Sequence, residues 1–183
     1  LWSRGLGDVY KRQVVPSLSP SMDIQVSSNF ERLLFELLDR DGARVADIMA
    51  SFAKTGHFVL PEDAMGKAHA IFSAYRLDDD GTIAEIAASM AGEGMCLDPH
   101  SAVGVSAARR AIADGTVGPD IQVVALACAH PAKFEGAVKK ATGTAPALPP
   151  HLADLMTRPE KMDKAPASAA AVRDLVLAQR RRG

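Results

Sequence analysis

The spacing of apolar residues between Ser28 and Gly92 does most to limit how this chain can fold. They recur at three- and four-residue intervals between turn signals, so the first half can bury them only as a succession of short helices. Phe30, Leu33, Leu34, Leu37 and Leu38 fall on one face. Glu31, Arg32, Glu36 and Arg40 fall largely on the other, and Ser28 with Glu31 has the spacing of a capping box. "GARVADIMASFAKTG" predicts a second helix with Val45, Ile48, Met49 and Phe52 inward and Gly56 as a left-handed stop. A third helix follows Pro61, carrying Met65, Ala68, Ile71 and Phe72. "DDDGTIAEIAASMAGEG" opens a fourth, with Thr82 as cap, Glu85 as its reciprocal partner and Gly92 near its end.

Past Gly94 the pattern changes. "MCLDPHSAVGVSAARRAIADG" reads as a short extended piece, a turn at Asp98–Pro99 and a helix through Ala107 and Ile112. "PDIQVVALACAHPAKFEGAVKKATG" reads as strand, corner and helix. Two extended segments bracketing a helix predict a fragment of an α/β sheet, so the fold class expected is α/β, helix-rich, with few short strands. The stretch from Thr144 to Ser168 is broken by Pro146, Pro149, Pro150, Pro159 and Pro166 and should run along the surface in short pieces. A last helix near Ala169–Arg180 presents Val172, Leu175 and Val176 before a basic tail. Residues 1–13 lack either periodicity and are expected to stand outside the fold as a non-native or disordered leader, leaving 14–183 as one unit.

Charge and composition narrow the partners. Lys+Arg of 21 against Asp+Glu of 22 gives a net charge of -1, which provides no field for nucleic acid or an anionic membrane. The two cysteines, Cys96 and Cys128, form no CxxC and suit a reduced, cytoplasmic setting. No apolar run reaches the roughly 18–20 residues of a bilayer span. No metal site is expected. The Asp78–Gly81 run fails as a calcium loop because its first ligand position is Arg76 and its distal one Ala87, and His57, His69, His100, His130 and His151 show no close ligand pairing. No GxSxG elbow, P-loop or post-strand GxGxxG is present.

Two corners remain. In "LDPHSAVG", Asp98 and Ser101 can accept from freed N–H groups at a helix start, and Pro99 suits the first helical position. In "ACAHPAKF", Pro131 suits a first turn, with Phe134 and Val138 turned back to the core. Cys128, as the last strand residue, would reach into the crevice where open α/β sheets bind ligands. Its plainer alternative is a small buried hydrophobe.

"LSPSMDIQVSSNFERLLFE" (Leu18–Glu36), "CLDPHSAVGV" (Cys96–Val105) and "AHPAKFEGAV" (Ala129–Val138) resemble, in order and spacing, the carboxyl-terminal half of the threonine synthases, pyridoxal-phosphate enzymes of fold type II. The resemblance runs from Val14 to about Gly143. It implies pyridoxal 5'-phosphate as cofactor and O-phosphohomoserine as substrate, which loses phosphate by γ-elimination and takes up water at the β-carbon to give threonine. It also implies that the Schiff-base lysine and the phosphate loop lie upstream. No catalytic residue is therefore expected in this chain, and its missing partner is the amino-terminal half of the same protein. The one cofactor contact that carries over is Cys128, at a position commonly threonine or serine in the family, where the hydroxyl approaches the pyridine nitrogen. His130, Asp98 and His100 become candidates for a supporting layer, and Lys133 is expected to pair with an exposed carboxylate. Two other readings keep the fold: a noncatalytic binding or regulatory relative, and a serine/threonine dehydratase-like enzyme.

Overall fold

The structure is a computed structural model that describes residues 8–10 and 13–180. Seven α-helices form the framework of the described residues: α1 (Phe30–Leu37), α2 (Gly42–Thr55), α3 (Glu62–His69), α4 (Asp79–Glu93), α5 (Pro99–Ala113), α6 (Glu135–Thr142) and α7 (Ala169–Arg180). β1 (Asp8–Tyr10) and β2 (His57–Val59) form an antiparallel pair with Val9 opposite Phe58. Part of the leader expected to stand outside the fold is thus paired, while residues 1–7, 11 and 12 lie outside the described residues.

The helices follow from their sequence. The apolar face of α1 delivers Leu34 and Leu37 to the interior, and Leu38 follows at its C-cap. α2 adds Val45 and Phe52, α3 adds Ala64, Met65 and Ala68, and β2 adds Phe58, all in one cluster. Phe52 and Phe58 meet edge to face, with ring centroids 5.3 Å apart. A second, smaller cluster forms where Ile86 of α4 meets Leu97 and Ala102, with Val105 and Ala141 against it.

Several local expectations are corrected. Asn29, not Ser28, precedes α1, and it makes no side-chain capping bond. Asp78, not Thr82, caps α4, because its carboxylate accepts from Gly81 N at 2.9 Å; the buried Thr82 hydroxyl donates instead to Asp78 O. Gly92 lies near the end of α4 as expected, and the left-handed residue that closes the helix is Gly94, at φ 67°. α3 closes at His69, which leaves Ile71 and Phe72 exposed beyond it rather than on its buried face. Gly56 is the left-handed stop of α2, at φ 73°.

Gly94 also gives a clean stability test, since a Cβ built there meets nothing within 4 Å and only the backbone conformation resists a side chain. Gly94→Ala should cost about 1 kcal/mol. Urea unfolding should show a lower midpoint with an unchanged slope.

The largest correction concerns the extended segment before the corner. Residues 122–128 take no regular secondary structure and join no ladder among the described residues, and Ile121, Val124 and Leu126 are 64%, 74% and 75% exposed. A strand exists only where a neighbour takes its N–H and C=O groups. Their residue types favour a strand, but the described residues supply no neighbour for it.

Residues 148–183 form a separate compact unit. Its described residues hold a 3-10 turn at Pro150–Leu152, the proline-broken stretch and α7, which buries no residue completely. Arg158 grips Asp154 four residues earlier, at 2.6 Å, and Gln179 donates to Asp163 at 2.6 Å. The basic tail at residues 181–183 lies outside the described residues.

Candidate functional site

The two corners read from the sequence meet in space, and Asp98 is what joins them. Pro99 opens α5, and Asp98 stands at its cap with the side chain turned back over the first turn. Its Oδ1 accepts from His100 N at 3.0 Å and faces His100 Nδ1 at 2.9 Å. Its Oδ2 accepts a short bond from the Ser101 hydroxyl. Asp98, His100 and Ser101 are 1%, 4% and 3% exposed, so this is a polar knot in a dry place. Burial pushes the Asp98 carboxyl up, but the bonds from Ser101 and His100 outweigh it and hold the group below its ordinary value.

Two arms leave the knot. Ser101 Oγ accepts from the Cys128 amide at 3.0 Å, across 27 positions of sequence. His100 Nε2 accepts from the Ser21 amide at 3.1 Å, across 79 positions. Ser21 lies in a 3-10 turn, Pro20–Met22, whose approach is fixed by Asp23 accepting from Ser17 N and Oγ at 2.7 and 2.8 Å. Asp79 at the start of α4 accepts from Leu18 N at 3.0 Å. The "LSPSMD" and "LDPHS" stretches and the Cys128 corner are therefore one assembly.

On the far side of Cys128 the chain turns through a 3-10 piece, Pro131–Phe134, before α6. The His130 ring caps it by accepting from Ala132 N at 3.2 Å, so His130 serves the local backbone and Pro131 opens the turn as expected. Phe134 packs its ring 4.8 Å from that of His100, and Val138 is buried beside it in sequence on α6. Lys133 is corrected: among the described residues no carboxylate pairs with it, and its Nζ lies 5.6 Å over the Phe134 ring.

The two thiols differ. Cys96 is partly buried, and burial pushes its thiol up, which disfavours the thiolate. Cys128 is exposed, not the small buried hydrophobe of the plainer alternative. Among the described residues its Sγ contacts only Leu126 O, at 3.6 Å, a weak bond that a better partner would displace. A surface cleft of about 490 Å3 near the ends of α3 and α5, lined by Phe72, Tyr75, Asp114 and Thr116 among others, gathers none of the residues predicted for the site. Among the described residues no group of three His, Cys, Asp or Glu side chains could hold a metal ion, and no helix is long and apolar enough to cross a membrane.

Sequence reasoning named Asp98, His100, Ser101, Cys128 and His130 but missed their connections and missed Ser21 altogether. The available signal was the proline-started turn in "SPSMD", which marks a rigid loop without revealing what it touches.

Residues 101–176 match the family model "Threonine synthase, C-terminal". The chain is 42% identical over 179 residues to the threonine synthase of Pseudomonas aeruginosa, covering 97% of this chain and 37% of that one. It is 35% identical over 162 residues to the threonine synthase of Corynebacterium glutamicum, covering 87% and 33%. Among solved structures it superposes on pyridoxal-phosphate-bound threonine synthase from Brucella melitensis with a TM-score of 0.77 and 45% identity, over 84% of this chain and 32% of that one. Yeast threonine synthase gives 0.76 and 30%, over 95% and 39%. The chain spans about a third of the length of the curated relatives it matches.

Proposed function

Because the chain belongs to the threonine synthase family, as a carboxyl-terminal portion of it, we propose that it forms one wall of a pyridoxal-phosphate site that turns O-phosphohomoserine and water into threonine and phosphate. The observation that supports this most is the corner itself: an exposed thiol, its amide held by a buried hydroxyl, in a chain similar to an enzyme solved with that coenzyme.

The residues present fit one contact of the coenzyme and not its covalent attachment. Cys128 offers a side-chain donor and acceptor with only a weak internal partner, suited to the edge of a ring nitrogen. When bound, pyridoxal phosphate supplies the electron sink for elimination of phosphate and addition of water. Cys128 orients the ring. Ser101 fixes the Cys128 backbone, and the Phe134 and His100 rings back the corner with apolar surface that keeps water from behind it. The Schiff-base lysine and the groups that hold the substrate's phosphate belong, in this reading, to the amino-terminal half of the same protein, which is also the chain's main partner. The cytoplasm is the compartment that suits free thiols of this kind.

The test uses the full-length protein of which this chain is part, loaded with pyridoxal phosphate. Phosphate release from O-phosphohomoserine with formation of threonine is the expected result. Keto-acid formation from threonine without phosphate release would reassign the reaction to the dehydratase type. A protein that stays colourless with the coenzyme would mark it as a noncatalytic relative.

A further inference from the structure

We infer that Asp98 is a positioning residue that sets the two walls of the corner independently, through Ser101 to the Cys128 amide and through His100 to the Ser21 amide. The inference rests on the preceding reading only in taking Cys128 as the coenzyme contact.

The geometry leaves each group one role. Ser21 N–H can only donate, so His100 Nε2 must offer its lone pair. In a neutral imidazole the proton then sits on Nδ1, where it faces Asp98 Oδ1 at 2.9 Å and can be donated. Cys128 N–H can likewise only donate, so the Ser101 oxygen accepts from it, and the Ser101 proton goes to Asp98 Oδ2. The two carboxylate oxygens thus serve one arm each. Oδ1 fixes the tautomer and tilt of His100, while Oδ2 fixes the rotor of Ser101. Without the carboxylate, the ring could carry its proton on Nε2 and turn away an N–H it now accepts. The serine hydroxyl could rotate off the Cys128 amide in the same way. No buried side-chain N or O among the described residues lacks a partner, so no unpartnered side-chain acceptor waits for the ring N–H or the hydroxyl that loss of the carboxylate would release. Neither arm passes through the other, and the targets come from segments far apart in sequence, so each can be cut alone.

Site-resolved amide hydrogen exchange on the coenzyme-loaded full-length protein reads the two arms directly. Ser101→Ala should speed exchange at the Cys128 amide about fivefold to tenfold, the factor a single hydrogen bond of ordinary net strength supplies, and leave Ser21 at its original rate. Ser101→Thr, which keeps the hydroxyl, should restore protection. His100→Asn, which keeps a near donor but no far acceptor, should deprotect Ser21 and spare Cys128. His100→Gln, which places an acceptor near the Nε2 position, should restore it. Asp98→Ala should release both amides. Should that variant fail to fold, Asp98→Asn serves, because an amide has one carbonyl oxygen for two acceptor positions and must loosen at least one arm. If Ser101→Ala loosened both amides or neither, or Asp98→Asn left both at the original rate, the inference would be overturned. The coenzyme's visible absorption, read on the same samples, separates the two failures. A loosened Cys128 amide with an unmoved band would remove Cys128 from the coenzyme while leaving Asp98 in its role.

Discussion

Asp98→Ala is expected to destabilise the chain by about 3–5 kcal/mol, through loss of several buried hydrogen bonds and of the cap on α5. The carboxylate accepts from His100 N, from His100 Nδ1 and from Ser101 Oγ, and its surroundings exclude water almost completely. Truncation leaves a dry ring N–H and a dry hydroxyl, which cost more than the bonds themselves were worth. Urea unfolding of the variant beside the parent measures the loss directly. Acid dependence adds a signature that simple loss of packing would not give. The folded carboxyl sits below its ordinary value. Its stabilisation is therefore complete above the ordinary carboxylate range and is lost as pH falls through the lowered value. The gap between the parent and Asp98→Asn should narrow on acidification across that window. A gap that held constant with pH would mean that Asp98 contributes shape and not charge.

The second large effect appears only when the same substitution is compared in two settings. Leu126→Lys should change the stability of this chain alone by no more than about 0.5 kcal/mol, because the side chain is 75% exposed. In the full-length protein, if residues 122–128 enter a sheet built with the other half, the same lysine must be buried, at a cost of several kcal/mol. Loss of soluble, coenzyme-retaining protein in the longer form alone is the expected outcome. Ile121, Val124 and Leu126 are all exposed, which is much apolar surface for one short segment to leave open, so the chain alone should bind a hydrophobic dye. Val124→Lys combined with Leu126→Lys should reduce that binding. Equal tolerance in both settings would show that the segment stays at the surface of the longer protein.

These cases show which parts of the structure the sequence could reveal. Periodicity sufficed wherever a helix buries its own stripe against a close neighbour in the chain, as Leu34 and Leu37 do against α2 and α3. Left-handed stops were legible where only glycine tolerates the backbone, as at Gly56. Periodicity overran at Ile71 and Phe72, since an apolar rhythm continues in text after the helix has ended in space. It misplaced the cap of α4 because Asp78 and Thr82 can each serve as one, and the aspartate reaches the free amide while the hydroxyl bonds backward. The Ile121–Cys128 segment reads as a strand because residue type records a preference for pleated surroundings, whereas pairing is a property of two segments. The links from Ser101 to Cys128 and from His100 to Ser21 were invisible for the same reason: polar contacts between distant segments leave no local pattern.

The claim on which the functional reading turns is that Cys128 faces the coenzyme ring. Its most direct test is the absorption spectrum and coenzyme dissociation constant of the full-length protein carrying Cys128→Ser or Cys128→Ala. Serine, which keeps a donor and acceptor at the same place, should preserve both. Alanine should shift the band and weaken retention by about tenfold, equivalent to about 1.4 kcal/mol. An alanine variant with the parent's spectrum and affinity would contradict the account.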